Sequence, residues 1–380
     1  MTEIHGTCAD EWAPVRDRFL ANFDEGLEQG ASVVVSKDGA PVVDLWAGDA
    51  DGHGRPWEED TLVNVYSTTK TMAATVMLML IDRGEIDPDA PVATYWPEFK
   101  ANGKEGVLIR HVLSHSAGLP GWDPPITAAI LYDEADAADR LATQATWWEP
   151  GTKSGYHALT QGSLEWGIVQ RVTGRTIGTF FREEVAEPLG ADFHIGLPAS
   201  ENHRVADLVP AGRGLDGSDT SDPNSIAART LLSCPLDALE PRTREWRGAE
   251  IPAAGGQGNA RSVARVHAAL ANGGAVDGVR LMREDTVERV LETQTHGVDE
   301  VLGLPMRYGL GFGLMSESTP LSITDRAFFW GGWGGSVALV DLENRLTVSY
   351  AMNRMGDALV GDMRGVNLIF TAYAALADQA

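Results

Sequence analysis

Thiols are nearly absent from this 380-residue chain, which holds two cysteines, Cys8 and Cys234. They allow at most one bridge and no ligand cluster, which excludes a disulfide scaffold and a thiolate zinc site and leaves the redox compartment open. Positive charge is scarce as well: 30 Lys and Arg stand against 54 Asp and Glu, a formal net charge of −24, and the lysines are Lys37, Lys70, Lys100, Lys104 and Lys153 alone. Such a balance repels a phosphate backbone, so nucleic acid and anionic membranes are poor partners. Long apolar runs are missing; Met72 to Ile81 is about half of what a bilayer needs and reads as a buried helix. The opening MTEIHGTCADEWAPVRDRF has no basic stretch followed by an apolar one, and a cytoplasmic location is expected.

Several motifs are lacking too. There is no Gly-x-Ser-x-Gly, and the nine histidines include no His-Glu-x-x-His, so neither an α/β-hydrolase elbow nor a metal site is expected. Gly255-Gly256-Gln257-Gly258 lacks the strand, helix and acidic partner of a dinucleotide site, and no cofactor is expected. What remains is an ordinary globular composition, 43% apolar and 22% charged, at a length that implies two lobes or one large domain.

Residues 9–29 have helical spacing, and Ser32–Ser36 and Pro41–Trp46 are β-branched runs flanking Asp38-Gly39, a hairpin signal, so the chain is expected to open helix then hairpin. Ser336–Leu342 and Leu346–Met352 repeat the hairpin pattern, and Leu359–Leu376 reads as a closing helix. The two ends are expected to share one antiparallel sheet. Between them, 67–83, 129–144, 160–173 and 177–187 carry helical spacing. Segment 211–226, rich in Gly and Asp, is a surface loop or a lid.

Ser67-Thr68-Thr69-Lys70 opens the helix through Arg83, and residues i and i+3 share a helix face, so Ser67 and Lys70 can meet. The unpaired N–H groups and positive dipole end of a helix start favour an alkoxide and oppose an ammonium, the setting for Ser attack with Lys as base. The plainer alternative is a Ser67 cap beside a solvated Lys70. Tyr156, in the loop Gly151–Ala158, can shuttle protons if a cation such as Lys70 depresses its phenol, or is a packing residue. Phe329-Trp330-Gly331-Gly332-Trp333-Gly334-Gly335-Ser336 suits an edge strand that a substrate can approach and whose N–H groups hold an oxyanion, or else a glycine-rich turn. In HVLSHSAGLP (111–120), His115 is expected to hydrogen-bond loop backbone rather than serve a triad.

The order Ser67-x-x-Lys70, Tyr156, Trp330-Gly331-Gly332 resembles the serine β-lactamase and penicillin-binding-protein superfamily, most closely its esterase branch, the family VIII carboxylesterases. LIDRGEIDPDAPVATYWPEF (80–99), YHALTQGSLEW (156–166) and GGWGGSVALVDLENRLTVSYAMNRM (331–355) extend the likeness over nearly the whole chain. The resemblance implies an α+β fold: an α/β lobe of residues 1–65 and 250–380, with an antiparallel sheet flanked by helices, a helical lobe of 66–249, and a catalytic cleft between them. It implies that Ser67 is acylated, that Lys70 assists its deprotonation, that Tyr156 is shared base and acid, and that the Ser67 and Trp333 N–H groups form the oxyanion hole. Relatives that act on lactams have Tyr or Ser-x-Asn where this chain reads Tyr156-His157-Ala158, and a Lys or His where it has Trp330. Without that amide and that cation, β-lactams and peptidoglycan are disfavoured.

The expectation is therefore a metal-free carboxylesterase that cleaves small esters of short to medium acyl chain through an acyl-enzyme on Ser67. Trp330, Gly331, Gly332, Trp333, Trp122 and His157 are its expected substrate-binding residues, with Trp147 and Trp148 as further candidates for an aromatic wall. The alternatives are a β-lactamase, a D-amino-acid amidase or peptidase, or an acyltransferase using the same nucleophile, or a non-catalytic relative that keeps the fold for interaction.

Overall fold

The computed structural model describes residues 2–211 and 222–379; most of the glycine-rich segment expected as a loop or lid, residues 212–221, lies outside the described residues. The fold is α+β. Its sheet has nine strands, built from β1 (Ile4–Cys8), β2 (Gly30–Lys37) and β3 (Ala40–Gly48) at one end of the chain. From the other come β8 (Thr295–Val298), β9 (Pro305–Tyr308), β10 (Gly313–Leu314), β11 (Ala327–Gly331), β12 (Val337–Asp341) and β13 (Leu346–Met352). The order is β1-β3-β2-β13-β12-β11-β10-β9-β8, antiparallel throughout. Two short ribbons stand apart: β4 (Val63–Asn64) with β5 (Gln257–Gly258), and β6 (Ala275–Val276) with β7 (Val279–Arg280).

The hairpin of β2 and β3 forms where Asp38 and Gly39 both take positive φ, 51° and 86°, the geometry whose twist matches paired strands. β2 is buried on both faces. Val34 packs on Ala260 and Ala264 of the helix 260–271, while Val33 and Val35 face the opposite way into the main core. The chain does not open with a helix: β1 precedes α1 (Ala13–Asp24) and pairs with β3. Its sequence IHGTC has an exposed centre and no apolar alternation to announce a strand.

The helices between the sheet's two contributions are α2 (Thr69–Asp82), α3 (Val92–Tyr95), α4 (Ile109–Leu113), α5 (Ala128–Leu131), α6 (Glu134–Thr143), α7 (Thr160–Thr173), α8 (Ile177–Phe181), α9 (Glu187–Leu189), α10 (Ile226–Leu232) and α11 (Arg244–Gly248). After β5 come α12 (Ala260–Ala271), α13 (Glu284–Glu288) and α14 (Met363–Ala377). α12 packs on β2, β12 and β13, and α14 packs on α1, β12 and β13. α2 is buried along nearly its whole length, in keeping with its apolar sequence. Among the described residues, no helix is long and apolar enough to cross a membrane.

A buried ionic knot fastens the chain ends. Arg364, at the start of α14, donates to Glu28 (3.1 Å), to the Leu27 and Arg354 carbonyls, to Asp362, and to the Gly334 carbonyl (2.8 Å) in the β11–β12 turn. Tyr350 of β13 donates to the other oxygen of Glu28, whose carboxyl burial pushes up to about 7. Removing one partner of a buried pair strands the other charge, so Arg364→Ala should lower unfolding free energy by about 3–5 kcal/mol in urea titrations.

Candidate active site

β4 leads directly into Val65 and Tyr66, and Tyr66 adopts φ 42°, a left-handed conformation that costs a bulky residue of order 1–3 kcal/mol. The bend presents Ser67 in a single tight turn, Tyr66–Thr68, just before α2 begins. Several bonds hold it. Val65 N–H donates to Gly256 O (3.0 Å), Thr69 Oγ1 to Tyr66 O (2.5 Å), and Gly256 N–H to Thr69 Oγ1 (2.9 Å). Ser336, at the foot of β12, donates to Val65 O (2.8 Å) and shares a bond with Thr68 Oγ1 (2.9 Å).

Three side chains meet at Ser67 Oγ. Lys70 Nζ lies 3.1 Å away, one helical turn along, and the Tyr156 hydroxyl donates to Oγ across 2.5 Å. Lys70 is buried, and its Nζ also donates to Ala158 O (2.7 Å) and Ala253 O (2.9 Å). A neutral amine has two hydrogens and one lone pair, so with both hydrogens committed to carbonyls the lone pair faces Ser67 Oγ. Burial favours that neutral form and pushes the Lys70 pKa down to about 7, against the opposing pull of Glu165.

The condition tied to a shuttle role for Tyr156, a phenol depressed by a cation, is not met. Burial raises its phenol above the ordinary range, with the Ser67 bond only partly opposing and the Asp299 charge adding to the rise. It is a protonated donor, not a phenolate. Its loop is fixed from the far side by Asp299, whose Oδ1 accepts from the N–H groups of Tyr156, Val301 and Leu302, each at 2.9 Å, while Oδ2 accepts from the Tyr308 hydroxyl (3.1 Å).

The β11–β12 turn brings backbone to Ser67. A Cβ on Gly332 would sit 2.2 Å from Val65 O and 3.2 Å from Ser67 N, so only glycine permits this approach. Among the described residues, no hydrogen-bond acceptor engages the N–H of Ser67 or of Trp333. Both donors are therefore free for an oxyanion.

The cleft around Ser67 is walled by Tyr66, Pro120, Trp122, Leu159, Leu231, Cys234, Leu236, Trp333 and Leu359, and Tyr156 and Ser67 also line it. No Asp, Glu, Lys or Arg is among the described residues that line it. Trp122 and Trp333 both line it. Trp330 and His157 do not line the cleft. The Trp330 side chain packs behind Tyr156 (ring centres 5.4 Å apart) and against His115 and Tyr308, because β11 presents it to the interior. His157 is buried, donating from Nδ1 to Gly155 O (2.6 Å) and accepting from Leu119 N–H at Nε2 (3.1 Å). Gly331 and Gly332 contribute backbone proximity rather than cleft wall. Trp147 and Trp148 lie outside the cleft, with Arg229 over one ring and Lys153 over the other. His115 accepts at Nδ1 from the His157 N–H (3.1 Å), a backbone role. Among the described residues there is no group of three or more His, Cys, Asp or Glu suited to a metal.

Asp299, Ser336 and Glu165 carry no motif that singles them out, although Ser336 ends the quoted glycine-rich stretch. As the Lys70 ammonium beside Ser67 loses its proton, the rate at which a fluorophosphonate labels Ser67 should rise with pH through about 7 and then level off, as read by mass spectrometry across a buffer series.

Comparison with known proteins places these features among relatives. The family model described as Beta-lactamase matches residues 19–369. The chain is 36% identical to "Esterase/beta-lactamase LipL" of Mycobacterium tuberculosis over 383 aligned residues, covering 94% of this chain and 84% of that protein. Among solved structures, a family VIII carboxylesterase superposes with a TM-score of 0.92 at 44% identity, over 98% of this chain and 100% of the other. A penicillin-binding protein homolog from Caulobacter crescentus gives 0.91 at 39% identity, over 98% and 100%. EstA from Arthrobacter nitroguajacolicus gives 0.88 at 30%, over 100% of both chains.

Proposed function

The chain belongs to the beta-lactamase family, and from that membership we propose that it is a carboxylesterase, cleaving small neutral esters of short to medium acyl chain through an acyl-enzyme on Ser67. The observation that carries this reading is the convergence of Lys70 Nζ and Tyr156 OH on Ser67 Oγ, in a cleft whose described walls hold no formal charge. A β-lactam or peptide terminus would bring a carboxylate that finds no cation there. The esterase names of LipL, EstA and the family VIII carboxylesterase support the ester class.

In the proposed mechanism, neutral Lys70 takes the Ser67 proton as Oγ bonds to the ester carbonyl carbon. The N–H groups of Ser67 and Trp333 receive the oxyanion, a contribution of about 3–4 kcal/mol per donor in comparable sites. Collapse breaks the bond to the alcohol oxygen, which leaves with the Tyr156 proton, and the Lys70 ammonium restores the phenol. Water then attacks the acyl carbon, its proton passing to the same amine, and the carboxylic acid departs as Ser67 regains its hydrogen. Trp122 and Trp333 would line the space for acyl and alcohol groups. We assign residues 1–65 with 250–380 to one lobe and 66–249 to the other, with the cleft between; its walls draw on both ranges. The free thiols of Cys8 and Cys234 fit a reducing, cytoplasmic compartment.

A second reading, opening of a β-lactam by the same nucleophile, is favoured by the double name of LipL. The kcat/KM for nitrocefin against that for p-nitrophenyl butyrate separates the two, and the ester is expected to win. Ser67→Ala should abolish butyrate turnover, and undiminished activity would overturn the proposal. Tyr156→Phe should lower kcat by about 10²–10⁴, the usual worth of a positioned proton transfer.

A further inference from the structure

We propose that Asp299 is a positioning residue for this reaction: one oxygen of its carboxyl holds the main chain of Tyr156, the other holds the aromatic packing around the Tyr156 ring, and together they aim the phenol at the alcohol oxygen that must leave. The inference rests on the proposed role of Tyr156 as proton donor to that alcohol. Asp299 lies in the turn between β8 and β9, at the edge of the sheet, and is fully buried. Among the described residues no cation pairs with it, and four hydrogen-bond donors meet it instead. A buried carboxyl is costly unless its oxygens are engaged, and here both are.

Two of the four bonds are local. Oδ1 accepts from the N–H groups of Val301 and Leu302, two and three residues on, the usual way in which an Asp stabilises its own turn. The third bond, at the same oxygen, comes from Tyr156 N–H, 143 positions away in the chain (2.9 Å), and the fourth joins Oδ2 to the Tyr308 hydroxyl (3.1 Å). Neither of these closes the turn, and both lead to Tyr156.

One route runs through the main chain. Gly155 N–H donates to His115 O (3.0 Å), Tyr156 N–H to Asp299, and His157 N–H to His115 Nδ1 (3.1 Å), so consecutive peptide groups on both sides of Tyr156 are held. Glu300, next to Asp299, adds a bond from its N–H to Ser154 O (3.0 Å) and an ion pair with Lys153 (3.1 Å). The other route runs through rings. Tyr308, held by Asp299, packs on His115 and Trp330 with ring centres 4.9 and 5.8 Å away, and those two rings flank Tyr156 at 5.1 and 5.4 Å. The carboxyl thus fixes both the backbone from which the phenol extends and the walls between which it stands, and the hydroxyl reaches Ser67 Oγ at 2.5 Å.

Asp299 makes no hydrogen bond to Ser67, Lys70 or Trp333 among the described residues. Lost aim therefore falls on the step in which the bond from the acyl carbon to the alcohol oxygen breaks and that oxygen takes the Tyr156 proton. An alkoxide is too basic to leave without the proton, whereas p-nitrophenolate needs it far less. Asp299→Ala should lower kcat/KM for ethyl butyrate by about 100-fold, the scale of an ångström of misplacement, and should lower kcat/KM for p-nitrophenyl butyrate by about tenfold less. Asp299→Asn keeps an acceptor for the Tyr156 N–H and should recover most of the loss. Equal losses on the two esters, as from a residue that only stabilises the fold, overturn the proposal, and so does an Asn variant as impaired as the Ala variant.

A second readout needs no turnover. In crystals of the Asp299→Ala chain the Tyr156 hydroxyl should stand beyond hydrogen-bond reach of Ser67 Oγ, and an unmoved hydroxyl overturns the proposal whatever the enzyme hydrolyses. If the wild type hydrolyses neither ester while the hydroxyl moves in the variant, the esterase reading fails and the positioning stands. Should the Ala variant not fold, Tyr308→Phe, which severs only the Oδ2 bond, is read on the same two esters with the same outcomes; if neither folds, Asp299 is a requirement of the fold and the proposal falls.

Discussion

The site depends on holding a primary amine in the protein interior with no carboxylate among the described residues in contact. Lys70 tolerates this because two main-chain carbonyls, Ala158 O and Ala253 O, solvate its hydrogens in place of water. Those carbonyls belong to segments far apart in the chain, one entering α7 and the other preceding β5. The helical region and the strand region must therefore both be in place before the amine has its environment. A point charge in water would be of no use as a base near neutrality, because its proton affinity would be too high; desolvation supplies the difference.

Around that amine the backbone is held by a chain of small contacts. The strained Tyr66 exposes Ser67, Ser336 ties Val65 and Thr68 to the strand beside them, and Gly332 allows two main chains to touch. Arg364 in turn holds the Gly334 carbonyl of the same turn. Trp333, which would supply one oxyanion donor, thus sits between a contact that requires glycine on one side and a buried guanidinium on the other. Rigidity of this kind keeps the donors fixed while charge develops, which is where preorganised dipoles have their effect.

Much of this was legible in the sequence because the relevant signals are local. The i, i+3 spacing of Ser67 and Lys70 on a helix start, the Asp-Gly turn of the first hairpin, and the uniform apolar character of α2 each follow from a few consecutive residues. Trp330 and His157 were misplaced because their sequence neighbourhood is right and their direction is not: strand alternation turns the Trp330 ring inward, and His157 spends both ring nitrogens on loop backbone. A shuttle role for Tyr156 was tied to a cation depressing its phenol; burial raises the phenol instead. Asp299 and Glu165 were invisible since nothing near them in sequence announces that they are enclosed. Only the packing of α7 on α2, and of the loop after β8 on the Tyr156 segment, reveals what each faces.

The central pairing of the sheet, β2 with β13, joins residues as far apart as Gly30 and Asn353, 323 positions along the chain. During synthesis the first hairpin and α2 are complete long before the strand that must lie beside them exists. A sheet whose middle is closed last folds slowly, since distant contacts carry a large loop-closure cost, and its exposed apolar β2 edge is vulnerable to association in the meantime. The same topology means that the nucleophile's supports, drawn from Ser336, Gly332 and Arg364, arrive only with that final closure. A nascent or truncated chain would carry Ser67 without the Ser336, Gly332 and Arg364 contacts that hold its surroundings in place.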